Sequence, residues 1–200
     1  MFRSLTPAVL GLIAANVVIF LFEQFAPPAL ILRFALYPLG AHFHLWQLVT
    51  YAFLHATWWH IFGNMFGLFV FAPALEMYWG ARRFLIYYFV CVIAAGITEI
   101  AVQHATGNPE PTIGASGGVF GVLLAFAWLF PRAQLLLLLP PIPMPAWLFV
   151  TIYGLLELFF GVTGIEPDIA HFAHLGGLLG GAIMMLLWRV RPDPGRWRSR

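Results

Sequence analysis

Two short clusters carry the residues with the most chemistry. In Gly114-Ala115-Ser116-Gly117-Gly118 a serine stands among glycines where a strongly apolar segment begins, and Ala173-His174-Leu175-Gly176-Gly177 opens a later one. A hydroxyl becomes a nucleophile once a neighbouring base takes its proton, and imidazole suits that exchange near neutral pH. A hydroxyl and an imidazole at one depth in an apolar bundle suggest hydrolysis inside a bilayer. A third stretch adds His55, His60 and Asn64. The last two are four residues apart, share one helical face and carry donors of the kind an oxyanion needs.

The elements that must position these groups follow from composition. The 200 residues are 62% hydrophobic and only 9% charged, with a mean hydropathy of +0.87, whereas soluble domains carry about 25% charged residues. An all-α, polytopic membrane protein is expected. Six segments, roughly 8–26, 57–78, 84–103, 116–130, 147–163 and 170–188, approach the ~20 apolar residues of a span and form one six-helix domain over 1–200. Arg3 is followed by an apolar stretch longer than a signal-peptide core and without a clear cleavage site, so the first helix is expected to stay. The single cysteine, Cys91, excludes an intrachain disulfide and a cysteine metal cluster, and reads as a small core residue.

All ten basic residues are arginine. With the N-terminus cytoplasmic, Arg3, Arg82, Arg83, Arg132, Arg189, Arg191, Arg196, Arg198 and Arg200 fall inside and only Arg33 outside, a strong positive-inside signal that places both termini in the cytoplasm. The basic tail from Arg189 to Arg200 suits anionic lipid headgroups, and no nucleic-acid partner is expected. Irregular stretches are expected at Pro27 to Gln47, where Trp46, Leu48, Val49 and Phe53 point to structure at the interface, and at Asn108 to Pro111, Pro140 to Pro145 and Gly161 to Asp168.

That topology turns a scatter of polar residues into a site. The second, fourth and sixth segments all enter from the outer face. His55, His60 and Asn64, then Ser116, then His171 and His174 therefore share a slab ~5–10 Å below the interface, which water reaches only through a cavity. Unsatisfied polar groups are costly in hydrocarbon, so their convergence implies a shallow, wet pocket.

Other readings compete. A lone intramembrane serine is usually a packing residue, and Gly177 and Gly181 form a small-xxx-small pair whose ordinary role is helix contact. Gly114-x-Ser116-x-Gly118 formally matches a nucleophile elbow, but that motif needs a strand and sheet, which apolar helices exclude. His55/His60 and His171/His174 are able to ligate zinc, although no His-Glu-x-x-His occurs, and neither a metal nor a cofactor is expected. Glu76, Glu99 and Glu157 would serve a transporter, but repeat symmetry is missing, and Glu76 beside Arg82 and Arg83 favours a structural ion pair. Hydrolysis is preferred because three separate segments deliver nucleophile, base and donors to one depth.

Taken together, Trp46-Gln47, His55-x-x-x-x-His60-x-x-x-Asn64, Glu76-x-x-x-Gly80, Gly114-Ala115-Ser116-Gly117 and Ala173-His174-Leu175-Gly176-Gly177 span nearly the whole chain. They resemble the rhomboid intramembrane serine proteases. The resemblance implies Ser116 as nucleophile and His174 as general base, a dyad without an acidic member. His60, Asn64 and the Ser116 backbone N–H would form the oxyanion hole, supported by His55, Gly114 and Gly117. Phe120, standing where the family often has tyrosine, would stack on the imidazole, and Gln47 stands where some members have arginine. The implied substrates are transmembrane segments of other proteins, entering from the bilayer past the helix from Trp147 to Gly161, with Gly161 to Asp168 as a cap. A relative that binds such segments without cutting them is the alternative. A compact chain suits a prokaryotic cell membrane, with the site toward the outer face.

Overall fold

A computed structural model describes residues 5–107, 110–136, 142–165 and 169–192. Arg3, Arg196, Arg198 and Arg200, the Asn108-Pro109 turn, Pro140-Pro141 and part of the expected cap, residues 166–168, lie outside the described residues. The protein is mostly helical. Helix α1 (Pro7–Glu23) starts with proline in its first turn and ends three residues before the expected 26, because the Pro27-Pro28 pair disfavours helical backbone ahead of it. Two short helices follow, α2 (Pro28–Leu32) and α3 (Gln47–Thr50), the latter continuing into a 3₁₀ turn over Tyr51–Phe53. The long loop before α3 is anchored by buried Gln47, whose amide nitrogen donates to the carbonyls of Arg33 and His42 while its oxygen accepts from the His44 N–H.

Helix α4 (Trp58–Trp79) is capped by the Thr57 hydroxyl, which accepts from the His60 N–H, and stops at Gly80, whose φ of 80° few other residues adopt. Helix α5 (Ala81–Thr106) exceeds the expected 84–103 at both ends, since Gly80 and the left-handed Gly107 define its limits rather than the apolar run. Helix α6 (Ser116–Leu129) is the shortest of the apolar helices. A two-stranded antiparallel hairpin, β1 (Gln134–Leu136) with β2 (Pro143–Pro145), then departs from the all-helical expectation and gives the last three residues of the proline run regular structure. Proline suits such an isolated edge, where no further strand needs its missing N–H. Helices α7 (Ala146–Thr163) and α8 (His171–Leu187) complete the fold.

By length and composition α4, α5 and α7 are able to cross a membrane, while α1, α6 and α8 are shorter apolar helices. Helices α5, α6 and α8 pack together as the centre, α1 lies on α4, and α7 lies against α8 and α6. Small residues allow the central approach: a Cβ on Gly177 of α8 would collide with the Gly117 carbonyl of α6, and one on Gly121 would collide with the buried Cys91 thiol.

The ion pair expected between Glu76 and Arg82 or Arg83 does not form. Glu76 instead accepts from the backbone N–H groups of Ala8 and Val9, at 3.0 and 2.9 Å, and from the Thr6 hydroxyl. The carboxylate thus satisfies unpaired amides at the start of α1 and meets the positive end of its dipole. Arg83 stacks over the Trp188 ring, 4.4 Å from its centroid.

Candidate active site

The contact between Gly117 and Gly177 sets α6 and α8 at backbone distance, one residue after Ser116 and three after His174. Their first turns therefore meet. His174 Nε2 lies 2.8 Å from Ser116 Oγ, a hydrogen bond in which the hydroxyl donates when the imidazole carries its proton on Nδ1. The Phe120 ring, one turn along α6, stacks on His174 at 4.3 Å between centroids and 10° between planes. It lacks the hydroxyl of a tyrosine but supplies the flat wall that limits imidazole rotation.

Ser116 also opens α6. The preceding residue, Ala115, provides no side-chain cap, so the first-turn amides lack both an intrahelical acceptor and a capping oxygen and point the positive end of the helix at the serine. Gly114 has φ 125°, and a Cβ there would stand 2.6 Å from His60 Nε2. The glycine is required twice, by its backbone and by the closeness of His60. The His60 Nδ1 faces the Ala56 N–H at 3.4 Å, leaving Nε2 on the side of the serine loop.

His55 packs edge-on to His60 at 4.9 Å. It is 4% exposed, and both its ring nitrogens lack a hydrogen-bond partner among the described residues. Burial, with a smaller contribution from His60, pushes its pKa down to about 4, so the ring is neutral near pH 7. Asn64 is buried one turn beyond His60, its amide nitrogen unpaired among the described residues.

A cavity of about 560 Å³ opens over this arrangement, lined in part by His60, Glu99, Ser116, Gly161, His171 and His174. Asn64 and His55 are not among its lining residues. The structure thus brings Ser116, His174, Phe120, Gly114 and His60 together, with Asn64 and His55 buried behind His60.

One neighbour departs from the expected two-residue arrangement. Glu157 of α7 reaches His174 from the side opposite Ser116, with Oε2 2.8 Å from His174 Nδ1 and 2.6 Å from His171 Nδ1. Its sequence signal was a single carboxylate inside an apolar helix, a feature that by default marks a functional group or a paired charge. Spacing offered no hint of its partners, which lie 14 and 17 residues away on another helix. Ligand atoms of Glu157, His171 and His174 fall within 4.8 Å of one another. Their two nitrogen–oxygen separations are nevertheless hydrogen-bond lengths, shorter than the ~3.3 Å between donors arranged tetrahedrally about zinc at ~2.0–2.1 Å. His55 and His60 are not part of this cluster, so the four histidines weighed as a zinc site do not group together.

Comparison with known proteins is decisive for the family. The model of the Rhomboid domain matches residues 42–191, from the loop before α3 to just beyond α8. The chain belongs to the rhomboid family. Among curated rhomboids, it is 33% identical over 142 residues to Rhomboid protein 1, mitochondrial, of Saccharomyces cerevisiae, which aligns 68% of this chain and 40% of the yeast protein. It is 30% identical over 194 residues to the Putative rhomboid protease YdcA of Bacillus subtilis, covering 93% of this chain and 90% of YdcA. Against the Rhomboid protease GlpG of Photorhabdus laumondii identity is 25% over 193 residues, 94% of this chain and 64% of GlpG. The chain thus spans well under half of the yeast rhomboid and nearly all of YdcA. Membership makes it a membrane protein. Rhomboid relatives here carry names from both bacteria and mitochondria, so the family alone does not assign a compartment.

Proposed function

We propose that this rhomboid is a serine endopeptidase that cuts transmembrane segments of other proteins within the bilayer. The observation that carries the reading is the 2.8 Å contact between Ser116 Oγ and His174 Nε2 at the floor of a cavity, where the first turns of two helices meet. His174 takes the hydroxyl proton as Ser116 attacks a peptide carbonyl, then returns it to the leaving amine, and water entering through the cavity hydrolyses the acyl-enzyme. The tetrahedral oxyanion forms beside the first-turn amides of α6, with His60 and Asn64 as side-chain donors. One such donor is worth ~3–4 kcal/mol of barrier in a dry site. The neutral His55 behind His60 adds no competing charge.

The six apolar helices would form the membrane bundle, with both termini cytoplasmic and the cavity toward the outer face, an orientation the arginine distribution supports. A bacterial cell membrane suits the near full-length match to YdcA. A substrate helix must unwind locally before a carbonyl can be attacked, which favours small or helix-breaking residues at the cut. Helix α7 is the candidate gate, because only three of its residues are buried: Ala146, Val150 and Glu157.

The test is cleavage of a transmembrane model substrate by detergent-purified protein. Ser116→Ala and His174→Ala abolish cleavage, and a chelator leaves the wild type active. Wild-type protein that binds such segments without cutting any of several substrates would instead favour the non-catalytic relative, and chelator-sensitive cleavage would favour a metal site.

A further inference from the structure

From the position of its carboxylate, we infer that Glu157 is a positioning residue for His174, converting the expected pair into a Ser116–His174–Glu157 relay whose acidic member is carried by the peripheral helix. This rests on the protease reading and deepens it. The three groups are arranged in order: Ser116 Oγ on Nε2 at 2.8 Å, and Glu157 Oε2 on the opposite nitrogen, Nδ1, at 2.8 Å. Since the carboxylate only accepts, it holds the proton on Nδ1 and leaves the Nε2 lone pair facing the serine, the tautomer a general base needs. Phe120 fixes the ring plane, and Glu157 fixes the rotation within that plane.

Burial argues that the contact is a built feature. Glu157 is the only charged residue among the three buried in α7, and a carboxylate at 8% exposure in an apolar helix is costly unless paired. His171, one turn before His174 on α8, donates from Nδ1 to the same oxygen at 2.6 Å and steadies the carboxylate from its far side. The hydrogen-bond partners of Glu157, His171 and His174, both come from α8.

The placement has a mechanical corollary. A 2.8 Å hydrogen bond is lost once its atoms separate beyond about 3.5 Å, so an outward shift of α7 by under an ångström uncouples the carboxylate from the base. The relay is complete only when the gate is closed over the site.

The experiment measures kcat and KM on a transmembrane model peptide, together with phosphonylation of Ser116 by a fluorophosphonate probe, for the full chain in detergent. Glu157→Gln lowers kcat roughly 100-fold with KM unchanged. The corresponding loss in the serine-protease triad is about 10⁴, and the Phe120 stack moderates it here. Glu157→Asp keeps the charge but pulls it back by one methylene, and gives a kcat about three- to tenfold below wild type. His171→Gln, which leaves the His174 contact in place, loses less than about threefold.

A tether that merely holds α7 to α8 would give a different pattern, with Glu157→Gln and His171→Gln equally harmful and KM raised with a lowered melting temperature. That pattern overturns the inference, as does kcat within twofold of wild type in Glu157→Gln. If Glu157→Gln does not fold, Glu157→Asp decides, and an unchanged kcat there overturns the proposal. Wild-type protein that neither cleaves nor takes the probe defeats the protease reading itself, whereas active wild type silenced by Ser116→Ala isolates any failure to Glu157.

Discussion

Helices α6 and α7 are neighbours, yet they have opposite constructions. Of the 14 residues of α6, eleven are buried, and its glycines meet Ala95, Tyr88 and Cys91 of α5 without room for a Cβ. Of the 18 residues of α7, three are buried, and Leu155 and Phe159 stand 62% and 54% exposed. The proposed nucleophile, Ser116, thus sits on an element that cannot shift without unpacking the centre, and the proposed orienting carboxylate sits on one that can. A hydrolase needing a fixed serine and an admissible helical substrate separates the two requirements in this way.

The comparison breaks most readily at the glycine contact. Gly177→Val drives two methyl groups into the Gly117 carbonyl, and overpacking against rigid backbone exceeds the usual ~1–3 kcal/mol. The expected outcome is no folded protein, checked by thermal unfolding in detergent with Gly11→Val as control, where a Cβ meets nothing within 4 Å. Next is Leu129→Ala on α6, whose side chain is fully buried. Lipid is as apolar as the core, so the loss of about 3 kcal/mol reflects the cavity left behind rather than transfer to water.

The third test concerns the loop that fronts α6. His55 has its pKa held near 4 in the fold against about 6.5 when unfolded. The unfolded chain therefore takes up the proton first as pH falls. The stability of the neutral histidine is complete above about pH 6.5, declines toward pH 4 and is flat below, a loss of order 3 kcal/mol. Melting curves across that window check it, and His55→Phe should make them less pH-dependent. The smallest effect belongs to α7: Leu155→Ala, on its exposed face, changes stability by no more than about 0.5 kcal/mol, read from the same unfolding assay. If Leu155→Ala matched Leu129→Ala, the contrast between the two helices would be false.

Class and family were legible in the chain because apolar runs of about twenty residues have few physical solutions and because the serine, histidine and asparagine motifs recur together. Gly80 and Gly107 are visible as helix limits once their positive φ values are known, but the apolar pattern around them runs on and hides them. Glu76 shows the harder limit. Its neighbours Arg82 and Arg83 suggested a local ion pair, whereas its amide partners lie 67 and 68 residues earlier. Glu157 is missed for the same reason: a carboxylate advertises its need for a partner without naming one, and only the packing of α7 on α8 supplies the two imidazoles. The hairpin of β1 and β2 is disguised by prolines, which read as irregular until an isolated two-stranded edge accommodates them.

The same contrast makes bilayer thickness a control variable. Fourteen residues of α6 rise about 21 Å, well short of a hydrocarbon layer of ~30 Å, but its protein sheath means that no lipid feels the deficit. Helix α7, at about 27 Å and largely exposed, would in the proposed membrane bundle meet any mismatch by tilting. On the proposed reading, thicker or thinner membranes would leave Ser116 in place and act on the angle at which Glu157 is presented, so that lipid composition would tune the proposed base and not the proposed nucleophile.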